Sequence, residues 1–211
     1  MHVHDFGCGY GALFHHLADH PIMHRGTYLG TDMSEAMLEA ARAEVRDPRA
    51  RFACADGATE MADYTIVSGT FNLRSGVDQT KWSQYTEGLV RTLWAHSRRG
   101  LAFNLLHDAN VQLTCDSLYY ANARAWHTFA RSLAPAAELL VPATREGVVA
   151  ALGAILGPAA SALVPLGGAG GAADPFRGAA YGVLRAALGT TTAIRIEPSL
   201  PPTDITILMR R

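Results

Sequence analysis

Apolar residues recur along the first two thirds of the chain with two alternating periods. Short compact runs suit strands, and longer stretches spaced three and four apart suit helices. The pattern predicts strands at 1–6, 27–31, 51–55, 64–68 and 100–106. Helices are predicted at 11–18, from a Ser34 cap through Val45 with Met37, Leu38 and Ala41 at helical spacing, at 82–96 with Tyr85, Leu89 and Leu93 on one face, and at 121–133 ahead of Pro135. The end of the chain reads as a terminal hairpin, with strands at 193–196 and 204–209 around a Pro-rich turn. Such alternation is the signature of an α/β sheet with helices on its faces.

The pattern fails between Val141 and Thr192, where Ala, Gly and Leu dominate and no charge falls from Gly147 through Ala173. By length the stretch could cross a bilayer, which takes about 20 apolar residues. Pro158, Pro165 and the run GGAGGAA interrupt any long helix, and a single span would separate the terminal hairpin from the sheet it completes. The reading is therefore a single domain over 1–211 with an insertion at about 141–192. The insertion is expected to be an inserted helical pair, its second helix at 176–188, packed over the domain as a lid. A loosely ordered insertion and a membrane contact are the alternatives.

Composition narrows the partners. Eighteen Lys and Arg stand against 19 Asp and Glu, so the chain has no basic field for gripping phosphates, and a small-molecule partner is expected rather than nucleic acid. Cys8, Cys54 and Cys115 are odd in number and scattered, which fits neither a disulfide framework nor a zinc cluster. With no signal-peptide pattern at the N-terminus, a reducing cytoplasm is the expected location. His15, His16, His20 and His24 are clustered, and His16 and His20 share a helix face at a metal-ligand spacing. No Glu between them completes a zinc-protease motif, and histidines suit a helix C-terminus, so no metal is expected.

The chemistry-bearing stretch is VHDFGCGYGAL, residues 3–13. Glycines after a strand let the backbone turn tightly and approach a ligand, while the next helix offers free N–H groups to negative charge. Gly7, Gly9 and Ala12 can be fitted to the dinucleotide pattern, with Asp32 at about the separation of a ribose-binding acid. Asp5 argues against a pyrophosphate and for an ammonium group. S-adenosylmethionine carries that ammonium.

At this point the chain resembles the class I S-adenosylmethionine-dependent methyltransferases. VHDFGCGYG is similar to their first motif, YLGTDMSEAMLEAAR to the second strand and acidic loop, RFACADG to the third and ADYTIVSGTFNL to the fourth. SRRGLAFNLLHD, LYYANARAWHTF and DITILMRR are similar to a subgroup associated with small-molecule or sugar tailoring. The resemblance covers about 1–135 and 193–211. It implies a Rossmann-like, mainly parallel sheet with an antiparallel terminal strand, and S-adenosylmethionine as cofactor.

It also implies roles. Asp5, Gly7, Gly9 and Gly11 would shape the methionine pocket, Asp32 would hold the ribose hydroxyls and Met33 would pack on adenine. Asp56 beside Gly57 would face the adenine amino group, and Ser68 and Gly69 would border the sulfonium. Methyl transfer from a sulfonium is an in-line displacement that needs positioning more than a metal. His107 is the candidate base, with Asn72 as a second catalytic candidate; Asn72, Asn104, Tyr119 and Tyr120 are candidates for the acceptor pocket.

Members of the family usually carry a cofactor-covering segment ahead of the first strand. Here that strand starts at Met1, so a shortened chain with an impaired site is an expectation too. The expected activity is O- or N-methylation of a small acceptor. The alternatives are a degenerate cofactor-binding or docking module that uses the apolar insertion, and an NAD-dependent oxidoreductase.

Overall fold

A computed structural model describes residues 1–107, 117–140 and 204–211. The expected insertion, its helix at 176–188 and the strand at 193–196 lie outside the described residues.

The described elements are β1 (His2–Phe6), α1 (Ala12–Leu17), β2 (Thr27–Asp32), α2 (Glu35–Glu44), β3 (Ala50–Cys54), β4 (Ala62–Val67), α3 (Gln79–Ala95), β5 (Ser97–His107), β6 (Tyr120–Ala121), α4 (Ala123–Leu133), β7 (Glu138–Leu140) and β8 (Asp204–Arg210). They build one sheet in the order β3-β2-β1-β4-β5-β8-β7, and the short β6 also pairs with β5. Strands β1 to β6 pair in parallel, whereas β8 runs antiparallel to both β5 and β7.

Side chains alternate across this sheet with period two, so each face has its own core. On one face Phe6, Val67, Leu101, Phe103, Leu105, Ile205 and Ile207 pack against Val90 and Leu93 of α3 and Trp126 and Ala130 of α4. On the other, Val3, Tyr28, Ile66, Ala102 and Leu208 pack against Leu13, Phe14 and Leu17 of α1. Helices thus cover both faces, as the alternating pattern requires.

Where elements differ from expectation, capping and pairing decide. Helix α3 begins before residue 82 because the Asp78 carboxylate accepts from the N–H groups of Thr80 and Lys81, satisfying two donors of its first turn. Helix α4 begins at Ala123 because Asn122 caps it by accepting from Ala125 N, while Tyr120 and Ala121 are drawn off to pair with Leu106 and His107. Strand β4 starts at Ala62, which donates to His96 O and pairs with Ser97 before the register shifts at Tyr64. The same pairing carries β5 back to Ser97, so Arg98 and Arg99 stand inside the strand rather than ahead of it. The three residues of β7 supply a neighbour for β8 that the apolar pattern does not announce.

Candidate functional site

The chain leaves β1 toward β2 and β3 on one side, then returns to β4 on the other. A crevice forms at such a reversal, outside the carboxyl ends of the strands, and ligands of open α/β sheets bind there. The glycine loop occupies this point. Gly7 N and Cys8 N both donate to Thr31 O, at 2.7 and 2.9 Å, which folds the loop over the end of β2. Gly7 has φ 76°, and a Cβ there would lie 2.0 Å from Thr70 Oγ1, so only glycine fits. Thr70 Oγ1 donates to Phe6 O at 3.1 Å and pins the turn after β4 against the loop. Gly9, with φ 54°, is the opposite case: a Cβ there would meet nothing within 4 Å, so this stretch of backbone faces open space.

Asp32 closes β2 beside that opening. Its Oδ2 accepts from Gly9 N at 2.9 Å and its Oδ1 from Ser34 N at 2.8 Å. A carboxylate has about four lone-pair sites, so both oxygens keep capacity for hydroxyl donors while the backbone fixes their direction. Next to it Met33 is 68% exposed, a large apolar side chain at the rim. Ala55 N donates to Asp32 O at 3.2 Å, which brings the exposed Asp56 and the partly exposed Gly57 to the same edge.

Asp5 lies deeper. It stands on the α1 side of β1 with 3% of its surface exposed, and its Oδ2 accepts from Tyr28 Oη at 2.5 Å. Burial pushes its carboxyl up to about 7; the Tyr28 hydrogen bond opposes that rise and the charge on Asp32 adds to it. Cys8 is also buried, and burial, with Asp5 and Asp32 nearby, raises its thiol, so it has no thiolate character to offer.

On the other side of β1, the polar residues tie loops together. Gly69 N donates to Asn104 Oδ1 at 2.7 Å, and Leu106 N donates to Asn72 Oδ1 at 2.9 Å. Tyr119 N donates to Asn72 O, while the Tyr119 hydroxyl donates to Ser83 Oγ at 3.1 Å and accepts from Trp126 Nε1 at 2.8 Å. Asn72, Asn104 and Tyr119 are buried; Ser68, Gly69, His107 and Tyr120 are partly exposed at the same edge. A cavity of about 270 Å³ between the starts of α3 and α4 is lined by Ser83, Tyr119, Tyr120 and Asn122 among others.

The predicted residues therefore fall into two sets. The glycine loop, Asp32, Met33, Asp56 and Gly57 gather around one end of the crevice, and Ser68, Gly69, Asn72, Asn104, His107, Tyr119 and Tyr120 around the other. Sequence reasoning missed Tyr28, Thr70, Trp82 and Ser83, which hold these groups in place. Only Trp82, whose Nε1 donates to Phe71 O at 2.8 Å, carried a signal, as a polar-tipped aromatic opening a helix. His15 and His16 are exposed, and among the described residues no group of three metal-ligating side chains comes together.

A glycine loop at the switch point and a backbone-held carboxylate at the end of the next strand define a nucleotide-cofactor-binding α/β domain. Comparison with known proteins makes the class specific. The family profile described as "Methyltransferase domain" matches residues 3–94. The Mycobacterium tuberculosis protein named "Putative methyltransferase Rv1506c" is 39% identical over 123 residues, covering 57% of this chain and 72% of that protein. The chain belongs to the class I S-adenosylmethionine-dependent methyltransferases. A trans-aconitate 2-methyltransferase of Deinococcus radiodurans is 31% identical over 168 residues, 77% of this chain and 61% of that protein, so the chain spans less than two thirds of that relative. The Haemonchus contortus phosphoethanolamine N-methyltransferase 2 superposes with a TM-score of 0.57 at 14% identity, over 100% of this chain and 48% of that one, which shows the Rossmann-like methyltransferase fold. Among the described residues no helix is long and apolar enough to cross a membrane.

Proposed function

We propose that this chain binds S-adenosylmethionine at the switch-point crevice and transfers its methyl group to an oxygen or nitrogen of a small acceptor. The observation that carries the cofactor half is Asp32, oriented by Gly9 N and Ser34 N beside open space. The donor set fits the group: Asp32 for the ribose diol, the exposed Met33 for adenine with Asp56 and Gly57 at its edge, and Gly7, Gly9 and Gly11 for the methionine end, with Asp5 beneath. When bound, the cofactor supplies an electrophilic methyl on a sulfonium, a good leaving group.

The chain's own residues place the acceptor. Ser68 and Gly69 border the reacting centre. Asn104 fixes Gly69 through its N–H, and Asn72 fixes the end of β5, whose last residue is His107. His107 takes the proton that the acceptor hydroxyl or amine gives up as the new bond to carbon forms. Tyr119 and Tyr120 wall the acceptor side. The acceptors in the names of two relatives, trans-aconitate and phosphoethanolamine, are small molecules, which supports a small acceptor here.

The test is transfer of isotope-labelled methyl from S-adenosylmethionine to a panel of small carboxylic, hydroxylic and amino acceptors, with wild type and His107→Ala. Label in an oxygen or nitrogen product, reduced at least about tenfold in the variant, is the expected result. Label transferred only to a protein or to nucleic acid would contradict the small-acceptor reading.

A further inference from the structure

Asp5 stands two residues ahead of the glycine loop, and it is held by a residue to which the motifs give no role. Tyr28 sits wholly inside the protein on β2, two residues before the strand position paired with Asp5, and reaches along the sheet to put its hydroxyl 2.5 Å from Asp5 Oδ2. Its ring is gripped edge-on by Phe14 of α1 and Phe52 of β3, at centroid distances of 5.2 and 5.9 Å. A phenol packed on both sides has no freedom to turn away, so the direction of the Asp5 carboxylate is set by Tyr28 rather than by solvent.

We propose that Tyr28 is a positioning residue for cofactor binding: its hydroxyl orients the Asp5 carboxylate and favours the charged form that answers the ammonium of the cofactor's amino-acid end. This rests on the cofactor reading given above and adds a residue and a proton linkage to it. A carboxylate taken out of water loses its hydration, and a hydrogen bond donated to the charged form returns part of that stabilisation. Among the described residues the surroundings supply little else. Asp32 on β2 pushes Asp5 toward its neutral form. The Cys8 thiol on the loop is held up by burial and feels Asp5 and Asp32 as repulsive neighbours, with Arg42 of α2 acting on it in the opposite sense. Helix α1 turns Leu13, Phe14 and Leu17 inward and leaves His15 and His16 exposed. Strand β4 sets Ile66 beside Asp5. Tyr28 is thus the group whose hydrogen bond works for the charged form, and Asp5, whose carboxyl burial pushes up to about 7, stands where losing that bond changes its charge near neutrality.

The experiment uses S-adenosylhomocysteine, which carries the ammonium, and 5′-methylthioadenosine, which lacks the whole amino-acid end. Affinities of wild type and Tyr28→Phe for both are measured by calorimetry from about pH 6 to about pH 8.5, and the Asp5 carboxyl is titrated by carbon NMR in the unliganded proteins. In wild type, S-adenosylhomocysteine affinity is expected to rise with pH through neutrality. In Tyr28→Phe the rise and the carboxyl midpoint both move up by about one pH unit or more, and binding at pH 7 weakens about tenfold. Methylthioadenosine binds both proteins alike at every pH.

Coincident S-adenosylhomocysteine profiles, or equal weakening of both ligands, would overturn the role of Tyr28 while leaving the cofactor reading intact. Failure of wild type to bind either ligand would overturn the cofactor reading and this inference with it. If Tyr28→Phe does not fold, Asp5→Asn decides: weak S-adenosylhomocysteine binding with no pH dependence and unchanged methylthioadenosine binding supports the linkage, and unchanged binding of both ligands overturns it.

Discussion

The two sides of β1 treat their polar groups in opposite ways. Toward β2 and β3, backbone N–H groups hold the Asp32 carboxylate and leave it spare lone pairs, next to open backbone at Gly9 and an exposed Met33. Toward β4 and β5, Asn72 and Asn104 use their side-chain oxygens to hold Leu106 N and Gly69 N, and the Tyr119 hydroxyl is occupied by Ser83 and Trp126. A cofactor common to a family can be met by backbone geometry and one or two carboxylates. An acceptor peculiar to one protein is met by the surface that a scaffold presents, and in the proposed reading the buried amides are that scaffold.

Substitutions can break the contrast. The largest effect on folding is expected at Gly7→Ala, where the new Cβ overlaps Thr70 Oγ1 in a left-handed backbone; a loss on the order of 3 kcal/mol should show as a lower denaturation midpoint. Gly9→Ala meets no atom, so it should cost only about 1 kcal/mol in the same measurement. Its main effect should be on cofactor affinity, because the methyl occupies the ligand's side of the loop. If both variants lose stability equally, the two glycines do not divide between scaffold and site.

Next in size, Asn104→Ala leaves the Gly69 N–H without its acceptor and should lower stability by about 1 to 3 kcal/mol, with S-adenosylhomocysteine affinity little changed. An unfolding curve identical to wild type would mean that Asn104 is kept for the acceptor instead.

A pH dependence sharpens the comparison further. Asp5 holds its proton more tightly folded than unfolded, so its contribution is complete below about pH 4 and is lost as pH rises through about 7. His4, buried with Nε2 2.9 Å from Thr31 Oγ1, is lowered to about 4, chiefly by burial and then by the charge of His2. Its contribution is complete above about pH 6.5 and is lost as pH falls toward about 4. The two slopes oppose each other between those limits, leaving stability nearly flat. Asp5→Asn removes one of them, and its stability should then climb from about pH 4 to about pH 6.5; a flat profile in the variant would contradict the account of His4.

These residues also show what the sequence makes legible. The glycine loop, Asp32 and the strand–helix alternation are local: spacing and residue type suffice, and within the described residues the expected strands and helices fall on the observed ones to within a few residues at most ends. What was hidden depends on pairing between distant segments. Strand β7 has three residues and exists through its register with β8, and the early start of β4 follows from Ala62 meeting His96 and Ser97. Tyr28 reads in sequence as an ordinary apolar strand residue, and only the parallel register of β1 and β2 puts its hydroxyl on Asp5. Asn72 and Asn104 were visible as polar residues at strand ends, but their hydrogen-bond partners lie 34 and 35 positions away.

The central claim is that Asp32 and the glycine loop form an S-adenosylmethionine pocket, and calorimetric titration with S-adenosylhomocysteine tests it most directly. NAD serves as the control ligand and Asp32→Ala as the second protein. Saturable binding of S-adenosylhomocysteine to wild type, absence of NAD binding, and a loss of about thirtyfold or more in the variant are the expected results. No binding to folded wild type, or equal binding to Asp32→Ala, would contradict the claim.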